Sequence, residues 1–66
     1  MIYRVIYDYS FRDNVWYVWY SEVPGLHVEH TIENDMADLI VEVGKELLED
    51  DTAVIRAEKR IHWSFA

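Results

Sequence analysis

The 66-residue chain has no cysteine, one proline and two glycines. Without cysteine it has no disulfides, and a tetrahedral zinc site would have to rely on histidines and carboxylates. A domain of this size buries only ~60% of the surface that its unfolded chain exposes, so the core must be dense or shared with another chain. The composition, 52% hydrophobic and 15% aromatic, argues against disorder and suits a dense core. We therefore predict a single domain over residues 1–66.

Basic residues are also scarce: six Lys and Arg against thirteen Asp and Glu give a formal net charge of −7. An acidic domain repels phosphate backbones, which disfavours direct nucleic-acid binding and favours a basic partner. Long hydrophobic runs are missing, because the apolar run at residues 15–20 is far shorter than the ~20 residues of a spanning helix. We expect a cytoplasmic protein without membrane contact.

The first half of the chain has the pattern of β-strands. Residues 2–9 alternate between two sets, and the uniformly large set predicts the inner face: Tyr3, Val5, Tyr7 and Tyr9. Residues 11–14, FRDN, provide turn chemistry, so the first strand should form a hairpin with a second at residues 15–22. Pro24 and Gly25 break that strand, and a short third strand is predicted at about residues 26–30.

A helix follows, with Thr31 as the predicted N-cap and an end by about Glu49. One apolar stripe at helical period contains Ile32, Met36, Leu39, Ile40, Val43 and Leu47. The tail predicts a last strand within residues 52–66, where Ile61, Trp63 and Phe65 alternate with polar residues. A helix this amphipathic must lie on a sheet. The predicted fold class is therefore α+β: a two-layer β-β-β-α-β domain, with an antiparallel sheet and one helix on one face.

The six consecutive aromatic or β-branched residues at 15–20 require cover on both faces of the second strand. Alternation predicts that Trp16, Val18 and Tyr20 face the helix. The opposite face then carries Ile6, Tyr17 and Trp19. Exposed aromatics at this density usually mark an interface, so we predict contact with a partner or with a second copy in a homodimer.

The polar side of the helix is acidic. Ten acids and one Lys lie between residues 22 and 51. The predicted stripe consists of Asp35, Asp38, Glu42, Glu46 and Glu49. Either this stripe faces a basic partner, or it only keeps the protein soluble.

The segment VWYVWYSEVPGLHVEHTIENDMADLIVEVGKELLE resembles HicB-like antitoxin domains, which have a partial ribonuclease H fold. The matching motifs are Val15-Trp16, the Pro24-Gly25-Leu26 turn and Thr31-Ile32-Glu33. Full-length antitoxins of this type carry a C-terminal DNA-binding module, whereas this sequence is similar to the short stand-alone type. The resemblance implies binding and neutralisation of a small basic RNA-cleaving toxin, with no catalysis and no cofactor.

Two other functions remain open. One is an acidic inhibitor of another nucleic-acid-handling protein, with the helix stripe imitating phosphate charge, and a phage-encoded anti-defence protein would fit that description. Alternatively, Asp8 could bind a metal in a divalent-metal nuclease, with Glu22, Glu29 and Glu33 as further candidate ligands. All four are more simply explained as exposed ends of strands and the first turn of the helix. His27 and His30 should lie on opposite faces of a strand, which disfavours a shared metal.

Overall fold

The computed structural model describes residues 1–62. Four strands and one helix follow in the order β-β-β-α-β, which confirms the predicted α+β class. The elements are β1 (Ile2–Ser10), β2 (Val15–Ser21), β3 (Glu29–His30), α1 (Glu33–Leu48) and β4 (Val54–Lys59). The last strand is shorter than predicted, since Ile61 is exposed and lies beyond β4. The predicted positions of Trp63 and Phe65 lie outside the described residues.

The sheet has the strand order β3-β2-β1-β4. The β1–β2 and β2–β3 pairs are antiparallel, but β1 and β4 are parallel. The sheet is therefore mixed, and the prediction of a fully antiparallel sheet was wrong. β3 runs in the same direction as β1, and the helical crossover through α1 returns the chain in that same direction, so β4 is parallel to β1.

The core lies between α1 and one face of the sheet. Its buried residues come from β1, from the segment after β2, from α1 and from β4: Val5, Tyr7, Val23, Leu26, Met36, Ile40 and Ile55. Tyr3, Trp16 and Val18 pack against this cluster, as alternation predicts. The turn at Pro24 and Gly25 is also confirmed, because Gly25 has a φ of 77°, which a side chain would strain.

A β-bulge in β2 changes the face on which Tyr20 lies. Val18 stands opposite Tyr7 and Tyr20 stands opposite Ile6, so Trp19 has no counterpart on β1. An extra residue of this kind shifts the alternation by one position. Tyr20 is consequently 46% exposed and shares the face of Ile6. The prediction that it faces the helix was wrong.

The start of α1 also differs from the prediction. The N-cap position is Ile32, in an extended conformation, and no side chain caps the helix. Thr31 lies one residue too early to reach the first helical amides. Instead, the backbone N–H of Ile32 donates to Nδ1 of His30 at 2.9 Å. The helix ends at Leu48, and Glu49 adopts a left-handed conformation with φ 53°, in agreement with the predicted end.

Met36, Ile40 and Gly44 form the buried line of α1. Two members of the predicted stripe lie near the ends of the helix and stay about half exposed, Ile32 and Leu47.

Candidate functional site

The sheet face that α1 does not cover carries the candidate site. We define the open face as Ile6, Tyr17, Trp19 and Tyr20. Ile6 and Tyr17 are half-buried, whereas Trp19 is 48% exposed. The sequence placed Ile6, Tyr17 and Trp19 on this face, and the structure adds Tyr20 through the bulge. Their role in an interface remains a prediction.

Charged side chains border the open face on the β4 side. Nη2 of Arg4 lies 3.1 Å from Oε2 of Glu58, and Nη2 of Arg56 lies 3.9 Å from the other oxygen of the same carboxylate. Arg4 and Glu58 also line a groove of about 320 Å³ together with Ile6 and Trp19. A partner at this groove would meet an apolar floor and a charged wall.

Arg60 joins the aromatic and charged parts of this face. Its guanidinium carbon lies 4.1 Å from the ring centroid of Trp19, which is cation–π geometry. Its Nη1 also lies 3.3 Å from Oδ2 of Asp8. The guanidinium therefore restrains the Trp19 ring. The stacking of Arg60 on Trp19 depends on the bulge and on where β4 ends, so a local sequence pattern does not predict it.

Asp8 is the buried carboxylate of the described residues, with 8% of its surface exposed. Burial would raise its pKa, but the contact from His62 at 2.8 Å, the Tyr9 amide at 2.8 Å and Arg60 together lower the pKa below its ordinary value. Asp8 is therefore an ionised carboxylate whose oxygens already accept hydrogen bonds from the protein.

The four carboxylates considered for a metal site do not converge. Asp8 binds Arg60 and His62, Glu22 accepts from the Arg4 amide, and Glu33 lies 3.3 Å from Lys59. Within residues 1–62, no group of three or more His, Cys, Asp or Glu side chains could hold a metal ion. Two-metal chemistry requires several carboxylates around the same pair of cations, and this geometry does not provide them.

The two histidines near β3, His27 and His30, do not converge on a common site either. His27 is exposed. Nδ1 of His30 accepts a hydrogen bond from the Ile32 amide just before α1, and its Nε2 lies 3.9 Å from Asp35. A shared zinc site at His27 and His30 therefore has no geometric support.

The acidic stripe lies where the helical pattern places it. All five of its residues are exposed, on the side of α1 that faces away from the sheet: Asp35, Asp38, Glu42, Glu46 and Glu49. The stripe and the open face are thus on opposite sides of the molecule, and one small partner cannot cover both.

A second groove, of about 360 Å³, lies near the β1–β2 turn. It is lined by Asp8, Tyr9, Phe11, Trp16, Lys59 and His62. Tyr9 packs edge-on against both Phe11 and Trp16, with ring centroids 5.0 Å apart in each case. Phe11 is 86% exposed. The FRDN pattern of residues 11–14 predicts a turn and does not indicate this groove, which depends on the folded positions of Trp16 and His62.

The fold and these surfaces define a small α+β domain with one helix-covered sheet face and one open aromatic face. No protein-family model, no curated protein and no solved structure matches the chain. Within the described residues, the single helix is too short and too polar to cross a membrane.

Proposed function

We propose that the chain is a small cytoplasmic protein-binding domain, antitoxin-like, that neutralises a small basic RNA-cleaving protein by direct contact. The observation that carries this proposal is the open face. Trp19 and Tyr20 stand side by side at the bulge, each nearly half exposed. Aromatic side chains of this kind provide most of the energy in protein interfaces.

The open face is organised before any partner arrives. Arg60 is held between Asp8 and Trp19, so the indole ring loses little freedom on binding. A restrained aromatic contact costs less entropy than a mobile one. We assign the partner contact to this face.

The acidic charge has a different role in the proposal. A net charge of −7 attracts a basic protein from a distance and speeds the encounter, while contributing less to the final affinity. The five exposed carboxylates of the acidic stripe concentrate this charge on one side. Raising the salt concentration should slow association more than it speeds dissociation.

Binding without catalysis fits the state of Asp8, whose oxygens are occupied by Tyr9, Arg60 and His62. A catalytic carboxylate would need an oxygen free for a metal ion or a substrate.

The test is co-expression with the product of each gene next to the coding sequence. A small basic product should arrest growth and degrade RNA alone, and wild-type protein should suppress both effects. Trp19→Glu should fail to suppress them while remaining folded. Phe11→Glu is the matched control, because it places the same charge on an exposed aromatic of the hairpin turn, and it should suppress growth arrest normally. Suppression by Trp19→Glu, or no toxic neighbour, would refute the proposal.

The exposed stripe supports a second candidate, in which its carboxylates imitate phosphate charge and inhibit another nucleic-acid-handling protein. In that case Glu42→Lys together with Glu46→Lys should abolish activity, and Trp19→Glu should leave it intact. The two functions therefore predict opposite results for Trp19→Glu.

A further inference from the structure

We propose that two copies of the chain pair antiparallel along the outer edge of β4, with a two-fold axis at Ala57, and so form a continuous eight-stranded sheet. This inference is independent of the proposed function, because a monomer could also bind a basic partner through its open face.

The two edges of the sheet differ. β3 has two residues, whereas β4 has six, and no other strand of residues 1–62 lies outside it. Proteins commonly protect such an edge with proline, bulges, very short strands or charged side chains. The described part of β4 has no proline and no bulge, and its charged residues, Arg56, Glu58 and Lys59, are of mixed sign, so it can still offer backbone groups to a strand of complementary charge.

The ladder to β1 determines which backbone groups point outward. The Val54 and Arg60 amides donate towards β1, to the carbonyls of Met1 and Tyr7. In a parallel pair, alternate residues direct both of their backbone groups to the same neighbour. The even-numbered residues of β4 therefore bond to β1. The outward N–H and C=O groups belong to Ile55, Ala57 and Lys59.

With the two-fold axis at Ala57, all of these outward N–H and C=O groups form hydrogen bonds between the two copies. Ala57 then exchanges two hydrogen bonds with Ala57 of the second copy, and Ile55 exchanges two with Lys59 on each side. Between them, Arg56 stands directly opposite Glu58 of the second copy, and Glu58 opposite Arg56. Opposite charges at directly paired positions stabilise a sheet. The side chains of Arg56 and Glu58 are 66% and 37% exposed and lie on the same side of the sheet as the open face.

Other registers lack this complementarity. An axis at residue 56 or 58 would place Arg56 against Arg56, or Glu58 against Glu58. An axis at Lys59 would place two lysines together at the end of the strand. An axis at Ile55 would pair Arg56 with Val54 and leave Glu58 beyond the overlap. Ala57 is the one position in β4 that pairs opposite charges without like-charge contacts on the axis.

The overall charge favours the same location. Two molecules of net charge −7 repel each other, and the repulsion is least where positive charge is concentrated. Four of the six Lys and Arg residues lie on β4, directly after it or on the adjacent strand: Arg4, Arg56, Lys59 and Arg60.

The test uses two charge reversals, Arg56→Glu and Glu58→Arg. Each creates two like-charge contacts across the axis and should weaken dimerisation about tenfold or more. Mixing the two variants pairs each new charge with its opposite, so a heterodimer should form at concentrations at which each variant alone is mainly monomeric. Sedimentation velocity between about 10 and about 500 micromolar separates these species.

The matched controls make the same two types of charge reversal at positions outside β4. Arg12→Glu, in the exposed hairpin turn, corresponds to Arg56→Glu, and Glu42→Arg on α1 corresponds to Glu58→Arg. Both controls should dimerise as the wild type does. Circular dichroism must show that every variant is folded, since Glu58 also binds Arg4.

Amide hydrogen exchange provides a second readout. Raising the concentration should protect the amides of Ile55, Ala57 and Lys59, while the Arg56 and Glu58 amides are protected at every concentration. A wild-type monomer throughout the range, or failure of the mixed variants to associate, would overturn the inference. A dimer that ignores both reversals but dissociates with Trp19→Glu would place the axis on the open face instead, which also overturns it.

Discussion

Nε2 of His62 lies 2.8 Å from Oδ1 of Asp8, across 54 residues of sequence. This contact ties the chain beyond β4 to the middle strand β1. Arg60 reaches the other carboxylate oxygen at 3.3 Å. The Asp8 carboxylate therefore fastens the end of the described chain to the sheet.

We expect Asp8→Asn to destabilise the protein by about 1–3 kcal/mol, because a buried charge-assisted network loses its acceptor charge. Urea unfolding at neutral pH measures the change. Asp13→Asn, in the exposed hairpin turn, is the matched control and should change the free energy of unfolding by less than about 0.5 kcal/mol. Equal effects of the two substitutions would show that the Asp8 contacts contribute nothing specific.

The contribution of Asp8 to the free energy of unfolding should decrease as the pH falls. Its folded-state pKa lies below its ordinary value of 3.8, because hydrogen bonds from His62, Tyr9 and Arg60 outweigh burial. A lowered pKa means that the stabilisation is complete above the unfolded pKa and disappears as the pH falls through the folded one. The stability difference between wild type and Asp8→Asn should therefore be larger at about pH 7 than at about pH 2.5. A difference that grows on acidification would contradict this assignment.

The sequence predicted the order of elements and the inner faces of β1 and α1, because alternation and helical period are local patterns. It did not predict the parallel β4, which depends on where the chain returns after α1. Nor did it predict the position of Tyr20, since one bulged residue, Trp19, reverses the face of everything after it on β2. Thr31 is a residue type that favours the N-cap position, but the N-cap of α1 is Ile32, one residue later.

Gly44 permits a close approach of α1 to Ile55 of β4. A Cβ atom at position 44 would collide with Cδ1 of Ile55. We expect Gly44→Ala to gain little stability in the wild type, because the helix-propensity gain of about 1 kcal/mol is offset by displacing Ile55. In an Ile55→Val background the colliding methyl is absent, so the same substitution should stabilise the protein by about 0.5–1 kcal/mol.

A double-mutant cycle measured by urea unfolding checks this coupling. The expected interaction energy between positions 44 and 55 is about 1 kcal/mol in favour of the double variant. Additive effects would mean that Ile55 moves aside without cost.

Only part of the candidate site could be predicted from the sequence. Ile6, Tyr17 and Trp19 follow from alternation along two strands. The restraint on Trp19 was not predictable, because Arg60 reaches its ring only through the folded position of the segment after β4. Contacts between residues 41 positions apart in sequence depend on the sheet order rather than on local pattern.

Val18 and Trp19 are adjacent on β2 but lie on opposite faces of the sheet, so they should respond differently to the same substitution. Val18 packs against the core, so Val18→Glu buries an unpaired charge and should unfold the protein. Trp19 is 48% exposed, and Trp19→Glu should cost about 1 kcal/mol, mainly through the lost stacking with Arg60. Circular dichroism and urea unfolding of the two variants provide the comparison. Unfolding by Trp19→Glu would mean that its ring belongs to the core, and the open face would then lack its principal aromatic side chain.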